Sequence, residues 1–291
     1  MPTVQANGVR ISYEEQGSGV PVLLIHGGFG GAASTLTPNP PAITRFAPEG
    51  VRLITYDRRC AGQSEYVLDA YGLDDIAADV RGLLDALHIG GAIIVGSSMG
   101  GMVALQYAMA HPQRTMALVL LNTGPDLMSE TPWGQEFAAL AKKARVQGDR
   151  AVFESRKESL RDPSEAAGIV ARQSPLAEQL RARRSLLIER LAKVSDEDLF
   201  TYSTGEIRNY GAFLGHDLTP RLGELRMPTL IVHGTADATV PFAYSERMRE
   251  LIPDSELHAI EGADHGITEY PEAQAVTAEW LARIAALTAR V

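Results

Sequence analysis

The stretch Ala92-Ile93-Ile94-Val95-Gly96-Ser97-Ser98-Met99-Gly100-Gly101, continued by Met102-Val103-Ala104-Leu105-Gln106-Tyr107-Ala108, restricts the fold more than any other part of the chain. A short apolar run rich in β-branched residues enters a Gly-rich turn, and a longer apolar run of good helix formers leaves it. That pattern predicts strand, sharp turn, helix. In such a turn the central Ser is strained, with its hydroxyl raised above the sheet, and its flanks must be small because strand and helix nearly touch. Gly96 and Gly100 meet that need around Ser98, whereas a frame centred on Ser97 would put Val95 in the first small position. Gly100 and Gly101 at a helix start each cost about 1 kcal/mol relative to Ala, which calls for a packing or functional reason.

The rest of the chain supplies a sheet for this turn to sit on. Thr3 to Gln5, Asn7-Gly8 and Val9 to Glu15 read as a hairpin, since Asn-Gly supports a two-residue turn. Pro21 to His26, Val51 to Asp57, Met116 to Leu121, Thr229 to Gly234 and Ser255 to Ile260 are apolar runs suited to strands, several of them buried on both faces. Leu73, Ile76, Ala77, Val80, Leu83, Leu84 and Leu87 have the three-four spacing of a helix lying on a sheet, and an amphipathic helix with Val276, Trp280, Leu281, Ile284 and Leu287 closes the chain. Alternating strands and helices predict a mostly parallel sheet covered on both faces.

Between about Gly124 and Arg226 the pattern is helical alone, with Phe137, Leu140, Ala141 and Ala144 on one face, Leu176, Leu180, Leu187 and Leu191 on another, and Pro132, Pro163 and Pro175 as punctuation. Residues 1–124 and 227–291 are therefore expected to form one core domain, with 125–226 inserted as a helical cap. Trp133, Phe137, Phe153, Phe200, Tyr202, Tyr210 and Phe213 are its candidate pocket-lining residues, each of them equally readable as cap core.

A serine hydroxyl is a weak nucleophile, so Ser98 needs a histidine to take its proton and a carboxylate to orient that ring. Of seven histidines, His265 stands in the Gly-bounded loop Glu261-Gly262-Ala263-Asp264-His265-Gly266 just after the last strand, where it can reach the carboxyl edge of the sheet. His258 inside a strand, His88 and His111 at helix ends, and His233 before a turn Gly read as packing or capping residues. His216, at the end of the cap, is a candidate substrate contact. For the acid, Asp237 leaves a strand in Gly234-Thr235-Ala236-Asp237; Asp126 is the competitor, and Asp264 is too close in sequence to face His265.

The order Ser98, Asp237, His265, the elbow Gly96-Ser97-Ser98-Met99-Gly100, the loop His26-Gly27-Gly28-Phe29-Gly30 and the stretch Tyr56-Asp57-Arg58-Arg59-Cys60-Ala61-Gly62-Gln63-Ser64 together resemble the α/β-hydrolase superfamily over almost the whole chain. The resemblance implies an α/β fold with an inserted helical cap and an oxyanion hole from the amides of Met99 and of Gly28, or Phe29. It further implies His26 as a loop-holding residue, Gly in place of Cys60, and substrate contacts from Phe29, Trp133 and His216. The expected activity is a serine hydrolase acting on a small carboxylic ester or lactone through an acyl-enzyme, with no metal or organic cofactor. A proline iminopeptidase using acidic cap residues such as Glu206, a carbon-carbon hydrolase and a cofactor-free perhydrolase remain open, as does a ligand receptor with vestigial hydrolysis.

Composition excludes other classes. Asp and Glu outnumber Lys and Arg 36 to 27, a formal net charge of -9, and no basic stretch is interleaved with aromatics, so nucleic acid and anionic membranes are not expected partners. The single Cys60 excludes an internal disulfide, and the absence of a leader-like or membrane-length apolar run leads to a cytoplasmic expectation. A homodimer is left open. The cluster Arg181, Arg183, Arg184, Arg190 and Lys193 reads as a solvated face. Gly28-Phe29-Gly30-Gly31-Ala32-Ala33 also matches a dinucleotide fingerprint, with Asp57 as its ribose acid, but Pro38 to Pro41 fall where its helix would run.

Overall fold

The computed structural model describes residues 1–28, 48–127, 131–161, 189 and 192–288. An eight-stranded sheet organises the molecule: β1 (Thr3–Ala6), β2 (Val9–Gly17), β3 (Val20–Ile25), β4 (Val51–Tyr56), β5 (Ala92–Ser97), β6 (Thr115–Leu121), β7 (Thr229–Gly234) and β8 (Ser255–Ile260), in the order β1-β2-β4-β3-β5-β6-β7-β8. The β1–β2 and β2–β4 pairs are antiparallel and the remaining five pairs parallel. The expected Asn-Gly turn joins β1 to β2, with Asn7 and Gly8 both at positive φ as a tight hairpin turn of this kind requires.

The central strands carry apolar side chains on both faces. Leu23, Ile25, Ile94, Leu118, Leu120 and Ile231 face α1 (Leu73–Ala86) and α2 (Met99–Ala110), together with Met248 of a later helix, Ala243–Leu251. Val22, Leu24, Ile93, Val95, Val119, Leu230 and Val232 face the C-terminal helix Pro271–Thr288 through Trp280, Leu281 and Ile284. Period-two alternation thus splits each strand between two helical layers, as expected for a parallel sheet with no wet face.

Chain order makes the site. From β3 the chain runs to β4 on one side and then returns to β5 on the other, so the segments leaving β3 and β5 diverge beside each other, with Ile25 level with Gly96. Such a switch point opens a crevice at the carboxyl edge. Between β6 and β7 lie α3 (Pro132–Gln147), α4 (Asp149–Arg161) and α5 (Asp196–Gly211), followed by a 3-10 turn, Thr219–Glu224. Thr131 caps α3 through the Gly134 N–H, and Ser195 caps α5 through the Asp198 N–H. Ala144, Val152 and Ile207 form one small apolar cluster of this insertion, with Leu140 and Ala141 packed on it; Phe153 and Leu199 form another. Leu176, Leu180, Leu187 and Leu191, and Arg181, Arg183, Arg184 and Arg190, lie outside the described residues. Among the described residues no helix is long and apolar enough to cross a membrane.

Candidate active site

Ser98 stands between β5 and α2 with φ 50° and ψ −124°. A non-Gly residue in that region is strained and persists only where its surroundings hold it. Here they do: the Ser98 N–H donates to the Leu121 carbonyl at 2.9 Å, and the Ser98 carbonyl accepts from the Gly101 N–H at 2.8 Å and the Thr123 hydroxyl at 2.6 Å. The glycines are explained by contact. A Cβ on Gly100 would collide with the Ile25 and His26 carbonyl oxygens, and one on Gly96 would stand 2.6 Å from Gly101 Cα.

His265 and Asp237 meet this serine from the loops after β8 and β7. The Ser98 hydroxyl donates to His265 Nε2 at 3.1 Å, and His265 Nδ1–H donates to Asp237 Oδ2 at 2.8 Å. Asp237, not Asp126 or Asp264, holds that ring; the Asp264 carboxylate instead accepts from the Gly266 N–H within its own turn. Asp237 Oδ1 accepts from the N–H groups of Thr239 and Val240 at 2.8 and 2.9 Å. Burial pushes the Asp237 carboxyl up, but the nearby His233 N–H, the hydrogen bond from His265, the His265 charge and the Val240 N–H outweigh it and hold the group well below the carboxylate range. The residue is an anion held against the His265 ring.

Two residues that sequence reasoning passed over belong to this arrangement. His233 is wholly buried, donates Nε2–H to the Val240 carbonyl at 2.9 Å, lies 3.4 Å from Asp237 Oδ2, and has Ser245 Oγ 2.6 Å from Nδ1. It packs, as expected, yet what it packs against is the acid. Asn122, at φ 42°, accepts from the Gly234 N–H and donates to the Asp264 carbonyl, both at 2.9 Å, tying the acid loop to the histidine loop. The signal in the sequence was an Asn immediately after a strand, a residue type that tolerates the left-handed φ found here.

Gly27 and Gly28 leave β3 against Ser98. A Cβ on Gly27 would be 3.0 Å from Ser98 Cβ, and one on Gly28 would be 2.8 Å from the Tyr210 hydroxyl and 3.2 Å from Met99 Sδ. Met99 opens α2, so its N–H has no carbonyl a turn earlier in that helix. His26 holds the loop as expected: Nδ1–H donates to the Gly27 carbonyl at 2.9 Å and Nε2 accepts from the Arg58 N–H at 3.0 Å. Burial first, and the Arg58 charge second, lower its pKa to about 3, so it is neutral and no base. Phe29 lies outside the described residues, as does most of the dinucleotide-like string. Asp57, the acid proposed for that string, accepts from the Gln63 N–H at 2.8 Å and serves its own loop.

The helical insertion sorts its aromatics. Phe137 stacks on Tyr210 at 3.7 Å and 10°, Trp133 meets the same ring edge-on at 6.0 Å, and the Trp133 indole N–H donates to the Thr239 carbonyl in the Asp237 loop at 3.2 Å. These three form a wall running from Gly28 to the acid loop. Phe153 is buried against Phe200 as insertion core, Tyr202 packs on Tyr66, and Phe213 lies under Arg58. His216 follows α5 in a turn, and among the described residues no hydrogen bond joins its side chain to Ser98, Asp237 or His265. Glu206, one turn before Tyr210 on α5, is pushed up to about 7, by burial first, with Arg156 opposing and Glu136 reinforcing. Cys60 sits at φ 57°, the conformation for which a Gly is expected; its buried thiol donates to the Val67 carbonyl at 3.2 Å. The loop keeps its shape and strains the cysteine.

Comparison with known proteins gives the family of the chain. The sequence matches the alpha/beta hydrolase fold family over residues 20–270. A Variovorax paradoxus (strain S110) protein carrying the provisional name carbamate hydrolase is 30% identical over 274 residues, 91% of this chain and 92% of that protein. A proline iminopeptidase of Neisseria gonorrhoeae is 28% identical, covering 92% of this chain and 90% of its own length. Among solved structures, a thermophilic esterase from Thermogutta terrifontis superimposes with a TM-score of 0.69 at 25% identity, over 98% of this chain and 99% of that one. The chain belongs to the alpha/beta hydrolase family, with the eight-stranded, mostly parallel sheet described above.

Proposed function

We propose that this hydrolase cleaves a small carboxylic ester or lactone through an acyl-enzyme on Ser98, beneath residues 125–226 acting as a cap. The observation that carries the reading is the line Ser98 Oγ, His265 Nε2, His265 Nδ1, Asp237 Oδ2, at 3.1 and 2.8 Å, on a strained elbow. In this reading Ser98 Oγ attacks the carbonyl carbon while its proton passes to His265, and the carbonyl electron pair moves to an oxygen facing the Met99 and Gly28 amides. Collapse expels the alcohol, which takes the proton from His265; water, deprotonated by His265, then releases the acid. Asp237 keeps the imidazole in the Nδ1–H tautomer and stabilises its cation. The reaction needs no metal or organic cofactor, and the ligand is a small molecule held by Trp133 and Phe137.

The test is a panel of short nitrophenyl esters, five- and six-membered lactones and prolyl anilides at one pH. Hydrolysis of esters or lactones at least about 10²-fold faster, in kcat/KM, than the anilides supports this reading. A preference for the anilides favours an aminopeptidase instead. That second reading draws on the half-buried Glu206, whose pKa is raised, and on the similarity to a proline iminopeptidase.

A further inference from the structure

Two adjacent arginines follow β4 and have opposite surroundings. Arg59 is matched to a carboxylate: its Nε and Nη2 donate to the two oxygens of buried Asp79 at 2.6 and 2.5 Å. Arg58, only 1% exposed, has no carboxylate on its guanidinium among the described residues. Its Nη1 donates to Asn209 Oδ1 at 3.0 Å, its Nη2 to the Gly27 carbonyl at 2.8 Å, the Phe213 ring lies 5.7 Å away, and Nε–H has no partner among the described residues. A buried cation without a counter-ion is costly to desolvate, so its place beside the Gly27 carbonyl calls for a reason.

The reason lies in the geometry of one peptide unit. In a trans peptide the carbonyl and the following N–H point in opposite directions. The Gly27 carbonyl accepts both His26 Nδ1–H and Arg58 Nη2–H, at 2.9 and 2.8 Å. The N–H on the other side of that unit belongs to Gly28, the amide assigned above to the oxyanion. Two donors fix the plane of the peptide, and a charged donor draws electron density toward the carbonyl and sharpens the opposite N–H dipole. Asn209 completes the clamp, accepting from Arg58 and donating Nδ2–H to the Arg59 carbonyl at 3.2 Å.

We propose that Arg58 is a positioning residue for the oxyanion hole: its buried, carboxylate-free guanidinium anchors the Gly27–Gly28 peptide so that the Gly28 amide is aimed at, and its charge favours, the oxygen that becomes negative. This rests on the acyl-transfer reading of Ser98. Arg58 touches no reacting atom and acts through the peptide and through its field. Its effect belongs to the tetrahedral stage, when charge builds on oxygen, and not to substrate binding.

The experiment compares Arg58→Gln, Arg58→Lys and Ser98→Ala with wild type on a nitrophenyl butyrate. It also measures inhibition by an alkyl trifluoromethyl ketone. That ketone takes Ser98 Oγ onto its carbonyl carbon, passes the serine proton to His265 and leaves the carbonyl electron pair as an oxyanion. For Arg58→Gln the expected result is a kcat lower by about 10–10²-fold with KM within about threefold, a milder loss than removing an oxyanion donor outright. The ketone should weaken by the same factor as kcat/KM, and Arg58→Lys, which keeps the charge and one donor, should fall between the two. If Arg58→Gln does not fold, Arg58→Lys carries the test by the same two readouts. A lower Tm with unchanged kcat and ketone affinity, or a loss confined to KM, overturns the proposal and leaves the Ser98 reading standing. Turnover that survives Ser98→Ala overturns both.

Discussion

The carboxyl edge of the sheet and the helical insertion above it are held by different physics. At the edge, the Ser98 backbone is held by three hydrogen bonds and the Asp237 carboxylate by two amides, while Asn122 ties the loops of Asp237 and His265 to each other. Beneath it lie two large apolar clusters. Among the described residues the insertion has two small clusters and leans on ion pairs at its surface, Lys157 and Arg161 on Asp196 and Arg150 on Glu197. Exposed pairs of this sort contribute about 0–1 kcal/mol each. The edge is thus fixed by directional bonds on a large core, and the insertion by small apolar contacts and surface charge.

Substitutions can break that contrast. Asp237→Asn should lower kcat/KM on an activated ester by about 10³–10⁴-fold, because the wrong tautomer of His265 is favoured; steady-state kinetics at neutral pH checks it. Gly100→Ala should cost about 3 kcal/mol, since the new methyl meets backbone that cannot yield. The same change at Gly211 on the insertion, where a Cβ finds its nearest neighbour at 3.9 Å, should be neutral or stabilising by up to about 1 kcal/mol. Urea unfolding of both variants gives the comparison directly, and similar losses at the two positions would contradict it.

A tenfold scale applies to the wall. Phe137→Ala removes the ring stacked on Tyr210 and should raise KM by about tenfold with kcat within about threefold, read from saturation curves. The smallest effect concerns Glu206. Its carboxyl ordinarily titrates near 4.5 and in the fold near 7, so the folded chain binds the proton more tightly than the unfolded one. The stability this confers is complete below pH 4.5 and is lost as pH rises through 7. Glu206→Gln should therefore flatten the fall in Tm between pH 4.5 and 8 relative to wild type, as differential scanning calorimetry would show. Parallel curves for the two proteins would contradict the burial of that group.

The same contrast decides what could be read without coordinates. The elbow was legible because backbone collisions at Gly96 and Gly100 leave few residue choices, and the hairpin because Asn7-Gly8 takes positive φ. His265 and Asp237 were legible because they leave strand ends in Gly-bounded turns. His233 and Arg58 were not. A buried His before a turn Gly and one Arg of a pair carry no local pattern that distinguishes packing from positioning, and their partners lie 7 and 151 residues away. The aromatics of the insertion were equally opaque: helical spacing puts Phe137 and Phe153 on apolar faces, and only packing shows that one stacks on Tyr210 while the other is buried against Phe200.

The most direct test of the central claim is rapid mixing of wild type and Ser98→Ala with a nitrophenyl butyrate, followed by acid quench, intact mass and peptide mapping. Acylation of Ser98 gives a burst of nitrophenol equal to the enzyme concentration, a butyryl adduct on the peptide containing Ser98, and neither in the variant. Turnover by wild type with no adduct on that peptide, or an unchanged rate in Ser98→Ala, would contradict it.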